Sequence, residues 1–174
     1  MTRLYLALPG ARAHLAQSRA LLGFDAFIDI VARPLREGSA DGAGQAFNLL
    51  PDFGAFVSGR AGVSGSVELD ERTTKMGGNA PNVAAALGAL GVAADCVIPC
   101  GPPDPLFAPL AARGRLFSTG EPGLCVALEF LDGKLLLGVN RGVNRLTWAQ
   151  VTERVGLNTL IGLAEGGGAI CFLN

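Results

Sequence analysis

The chain has 174 residues, 49% of them hydrophobic and 17% charged, with a formal net charge of −1. That composition supports a globular domain with a substantial core. It excludes a basic nucleic-acid-binding face, since no stretch collects Lys and Arg, and apolar runs such as Val83–Leu90 and Ala169–Leu173 are too short for a membrane-spanning helix.

In chain order, Met1–Pro9 lacks the basic flank and cleavage pattern of a signal peptide. A short helix is predicted over Ala11–Ala20. The run Leu21–Val31, LLGFDAFIDIV, is apolar except for Asp25 and Asp29. It reads as one strand buried on both faces. Arg33–Gln45 is polar and glycine-rich, hence a loop. Phe47–Arg60 predicts a helix, broken or shortened at Gly54. Ser66–Lys75 alternates in the manner of an exposed or edge strand.

Asn79–Leu90 gives the clearest helix, with Asn79 as its N-cap, Pro81 in the first turn and Gly91 as its terminator. Val83, Leu87 and Leu90 fall on one face, and the alanines between them allow close approach to a sheet. Val92–Pro99 reads as a strand and Asp104–Arg113 as a short helix. Leu124–Val139 is a hairpin around the turn pair Asp132-Gly133. Thr147-Trp-Ala-Gln150 is a capping box that opens a helix to about Val155. Ala169–Leu173 reads as one more buried strand. The alternation predicts an α/β fold with a largely parallel sheet. A chain whose last residues are Phe172-Leu173-Asn174 stops inside a core strand, so truncation is expected.

The chemistry available is narrow. His14 is the only histidine, and the four cysteines (Cys96, Cys100, Cys125, Cys171) form no CxxC pair. They read as buried, reduced thiols of a cytosolic protein rather than metal ligands. Two features remain: Asp29 in FDAFID, and Gly77-Gly-Asn-Ala-Pro-Asn82 at the start of the best helix. A glycine pair lets a ligand approach backbone N–H groups, and the helix aims its free N–H groups and positive dipole end at the same spot. Asn79 and Asn82 add amides, and Asp29 is costly to bury unless something binds it. A polyhydroxylated molecule fits such donors and acceptors. Each feature also has a structural reading: the glycine pair as a strand-to-helix turn, Asp29 as a capped or ion-paired residue. Asp25 reads as a structural or loop residue.

The run from Gly77 to Gly101, GGNAPNVAAALGALGVAADCVIPCG, resembles the first signature of the PfkB (ribokinase-type) carbohydrate kinases. Gly77, Gly78, Ala80, Asn82, Ala84, Gly91 and Gly101 all fit it without a gap. GFDAFID is similar to that family's first strand, whose acidic residue holds sugar hydroxyls; by position this is Asp29. Gly142-Val-Asn144 with Leu146-Thr147 resembles the family's Gly-x-Asn, Leu-Thr junction. The resemblance covers nearly the whole chain, but only the amino-terminal half of a family member.

The resemblance implies a ribokinase-like α/β fold with a small β-lid, built from strands within residues 25–33, 66–75 and 124–139. It implies a sugar or nucleoside kinase that transfers phosphate from ATP, with Mg²⁺, to an acceptor hydroxymethyl group. Asp29, Gly77, Gly78, Asn79 and Asn82 would bind the acceptor, and a cytoplasmic homodimer through the lid strands is one arrangement it allows. It implies no nucleic-acid or membrane partner. The family's Asn-x-x-Glu motif and its Gly-Ala-Gly-Asp run, which carries the general base, are expected beyond Asn174. Asp41-Gly-Ala-Gly-Gln45 imitates the second but has an amide where the base belongs. The 174 residues alone are therefore expected to bind no ATP or Mg²⁺ and to be inactive. Two rivals remain: a non-catalytic sugar-binding or interaction module, and, less well supported, a dinucleotide-binding oxidoreductase, whose GxGxxG turn is missing after GFDAFID.

Overall fold

The computed structural model describes residues 10–36, 44–102 and 104–173. In chain order the elements are α1 (Ala11–Gln17), β1 (Arg19–Phe24), β2 (Phe27–Leu35), α2 (Leu50–Ser58), β3 (Glu68–Gly77), α3 (Asn79–Ala89) and β4 (Ala93–Ile98). A 3₁₀ turn (Pro105–Phe107), α4 (Ala108–Ala111), β5 (Leu116–Ser118), β6 (Gly123–Glu129) and β7 (Lys134–Val139) follow. The last elements are α5 (Arg141–Asn144), α6 (Trp148–Val155), α7 (Leu157–Glu165) and β8 (Ala169–Leu173). They form two compact units: Met1–Ile28 with Met76–Gly123 and Asn140–Asn174, and Asp29–Lys75 with Leu124–Val139.

The first unit is an α/β layer structure. Its sheet has the order β5-β4-β1-β8, and all three pairings are parallel. Side chains alternate across β1 and β4, so Ala20, Leu22, Ala94, Cys96 and Ile98 join one apolar cluster with Ala80 and Ala84 of α3. Leu21 and Val97 face the other way, into a cluster with Val151 of α6 and Leu160 and Leu163 of α7. Parallel strands need crossover helices on both faces, which is why these strands read as continuous apolar runs.

The second unit carries most of the sheet β3-β2-β6-β7. The predicted hairpin is present: β6 and β7 pair antiparallel from Leu124↔Val139 to Glu129↔Lys134, and Phe130 N–H donates to the Gly133 carbonyl at 2.9 Å. A separate small core of Phe47, Phe53, Leu128, Phe130 and Ala32 lies against it. The predicted exposed strand is β3, at one edge of this sheet.

Several expectations are corrected. Residues 21–31 are not one strand: β1 stops at Phe24 and β2 starts at Phe27, in a different sheet. Asp25 breaks the run because its carboxylate is engaged by α3, and the Ala26 carbonyl accepts from Gly123 N–H at 3.0 Å. β2 continues to Leu35, where the Leu35↔Ala46 bridge closes the predicted loop; residues 37–43, with most of the 41–45 look-alike, lie outside the described residues. α2 runs through Gly54 unbroken. α1 ends at Gln17, because Ser18 is already extended into β1. β8 is not buried: Ile170 and Phe172 are 48% and 63% exposed. The helix α7 was not anticipated, although Leu157, Leu160, Ile161 and Ala164 keep helical spacing.

Candidate functional site

The signature segment lies where β3 passes into α3. Asn79 is the first helical residue rather than the cap; the cap position is Gly78, with φ 99° and ψ 156°. Only glycine adopts that backbone region readily. A Cβ there would also sit 3.0 Å from Ala26 Cα and 3.2 Å from Asp25 Oδ2. Gly78 is therefore required by conformation and by space together.

The helix's opening N–H groups are not free for a ligand, contrary to the expectation from its sequence. Asp25 is 4% exposed, and its Oδ2 accepts the Asn79 N–H at 2.6 Å while Oδ1 accepts the Ala80 N–H at 2.8 Å. Pro81 has no N–H, and Asn82 N–H donates to the Gly78 carbonyl at 3.3 Å. The first turn is thus satisfied internally, with a carboxylate at the positive end of the dipole. What α3 offers outward is side chains: Asn79 and Asn82 are exposed, while Gly77 is buried and Gly78 half-buried. At the other end Gly91 (φ 88°) ends the helix as predicted. Val92 N–H donates to the Leu87 carbonyl at 3.0 Å and Gly91 N–H to Gly88 at 3.1 Å. Ala80, Ala84 and Gly88 form its deepest face, flanked by Val83 and Leu87.

Asp29 belongs to the second unit, half-buried on β2. Burial and the Asp29 carboxylate together push the Cys125 thiol up. In the first unit the capping box forms as predicted, Gln150 N–H donating to Thr147 Oγ1 and Thr147 N–H to Gln150 Oε1. Beside it a cavity of about 320 Å³ is lined by Phe24, Asn144, Thr147, Trp148 and Phe172 among others.

One charged centre was missed in the sequence. Asp95 is fully buried toward the amino-terminal ends of the strands, paired with Arg19 at 2.7 Å and Arg115 at 2.6 Å. Burial alone would raise its pKa. The Arg115 side chain and backbone N–H, with Arg19, outweigh it and hold the carboxyl below the usual carboxylate range. An aspartate inside the run VAADCVIP was the available signal. Next to it, Cys96 is pushed up to about 12 by burial and the neighbouring Asp95 and Cys100, and Cys100 is raised chiefly by burial. Those thiols are poor nucleophiles at neutral pH. Among the described residues no helix is long and apolar enough to cross a membrane.

The family model described as prokaryotic ketohexokinase matches residues 7–172. The chain belongs to the prokaryotic ketohexokinase family. Its curated relative from Haloferax volcanii, a ketohexokinase, is 33% identical over 160 residues, covering 85% of this chain and 40% of the relative. Among solved structures, a microbiome-derived acarbose kinase is similar at a TM-score of 0.48 and 16% identity, over 87% of this chain and 51% of that one. A carbohydrate kinase from Agrobacterium tumefaciens is similar at 0.45 and 17%, over 89% and 53%. The chain thus spans about two fifths of the curated relative and about half of these structures. The carbohydrate-kinase resemblance of residues 77–101 agrees with this family match.

Proposed function

We propose that this chain supplies the acceptor-binding part of a ketohexose kinase, in which a hydroxymethyl group of the sugar is phosphorylated by ATP. The family match over residues 7–172 carries the reading. Asn79 and Asn82 hold acceptor hydroxyls through their exposed amide side chains, because the α3 N–H groups serve Asp25, and Gly77 and Gly78 form the turn that presents them. Asp29 is assigned a hydroxyl contact of its own. These groups contribute by positioning the acceptor. ATP supplies the transferable phosphoryl group. Among the described residues no three His, Cys, Asp or Glu are gathered to hold a metal ion.

Asp29→Asn tests the assignment. Hydrogen bonds to a charged partner are worth about 1.5–3 kcal/mol, so affinity for a ketohexose such as D-fructose should fall about 10- to 100-fold. Titration calorimetry measures it. A variant with a lower melting temperature but unchanged sugar affinity marks Asp29 as purely structural.

The partner reading that the small sheet favours is a homodimer through its hairpin. All six residues of β7 are exposed at a sheet edge, with Leu136 64% and Val139 69% exposed. Its one charge, Lys134, is tied to Glu129 at 2.5 Å. Such an unprotected apolar edge pairs with another strand. Sedimentation velocity should show a dimer that the double change Leu136→Lys, Val139→Lys converts to monomer. A wild-type monomer at high micromolar concentration contradicts it.

A further inference from the structure

The geometry points to Asp25 as a positioning residue for acceptor binding; this rests on the reading that residues 77–82 hold the sugar. Asp25 occupies the break between β1 and β2, and the adjoining Ala26 carbonyl is fixed by the Gly123 N–H at 3.0 Å. Its two carboxylate oxygens take one N–H each, Asn79 at 2.6 Å and Ala80 at 2.8 Å. Two bonds to separate oxygens fix both the place and the tilt of the segment they hold. Gly78 completes the clamp, since its backbone passes so near that a Cβ would lie 3.2 Å from Asp25 Oδ2.

The side chains that leave this clamped turn are Asn79 and Asn82, the two amides assigned to the acceptor. The Asp25 carboxylate is 4% exposed and its two oxygens are engaged by the turn, so it acts on the sugar only through those residues. A hydrogen bond pulled out of alignment loses most of its net worth, so moving the Asn79 and Asn82 amides off the acceptor hydroxyls weakens binding. Loosening the clamp therefore weakens sugar binding beyond any effect on folding.

Asp25→Asn is the first test. It keeps one acceptor oxygen and turns the other into a donor facing an N–H. D-fructose affinity is measured by titration well below the melting temperature, beside Asp95→Asn, a destabilising change at the other end of the strands, and Asn82→Ala. Asp25→Asn is expected to bind on the order of tenfold more weakly, with Asp95→Asn unchanged. Should Asp25→Asn fail to fold, Asp25→Glu keeps the charge and both oxygens but moves them by one methylene, and the same weakening is expected. Wild-type affinity in a folded Asp25 variant, with Asn82→Ala weakened, overturns the positioning role and leaves the acceptor reading intact. Equal weakening in Asp25→Asn and Asp95→Asn also overturns it, because the loss then follows stability. No D-fructose binding by the wild type, or none lost in Asn82→Ala, overturns the acceptor reading itself, and this proposal with it.

Discussion

Asp95→Asn is expected to destabilise the protein by about 3 kcal/mol at neutral pH, the lower end for breaking a buried ion pair. The lower end applies because the Arg19 and Arg115 side chains are 37% and 53% exposed and regain water when their partner is lost. The Asp95 side chain has no such escape: it is 1% exposed and takes bonds from the Arg115 side chain, the Arg115 N–H and Arg19. The effect carries a pH signature. Its folded pKa is depressed, so the stabilisation is present above the unfolded aspartate value of about 3.9 and is lost as pH falls through the folded value. Urea unfolding of both proteins should show the full gap at neutral pH and a narrowing one as the pH drops below about 3.9. A gap of equal size at both ends of that range means the carboxylate's charge contributes nothing.

Gly78→Ala is expected to cost about 2–6 kcal/mol. The backbone region alone costs about 1–3 kcal/mol for a residue with a Cβ. Contacts at 3.0 Å with Ala26 Cα and 3.3 Å with the Phe27 ring add an overpacking penalty of about 1–3 kcal/mol. Relief requires moving either the β1–β2 junction or the Asp25 clamp, and both are backbone-anchored. Gly54→Ala makes the contrast: it is mid-helix in α2, and a Cβ there meets nothing within 4 Å. That change should stabilise by about 0.5–1 kcal/mol. Thermal melts of the pair decide the matter. A Gly78→Ala protein that melts with the wild type would show the glycine is replaceable.

The sequence alone determined whatever rests on local periodicity and turn chemistry. The period-3.6 run and Gly91 placed α3, Thr147 and Gln150 placed the start of α6, and Asp132-Gly133 placed the β6–β7 hairpin. The spacing of glycines and small residues from Gly77 to Gly101 was enough to indicate a carbohydrate kinase, and three of those glycines, Gly78, Gly91 and Gly101, sit where the backbone takes a positive φ. The tertiary structure decided what depends on partners far away in the chain. That residues 21–31 divide between two sheets depends on the α3 N–H groups that Asp25 meets 54 and 55 positions later. That Asp95 is an ionised core residue depends on arginines 76 and 20 positions away. In both cases the residue is a carboxylate set in an otherwise largely apolar run. Sequence shows that such a group needs compensation when buried, but only the fold brings up the N–H or guanidinium that supplies it.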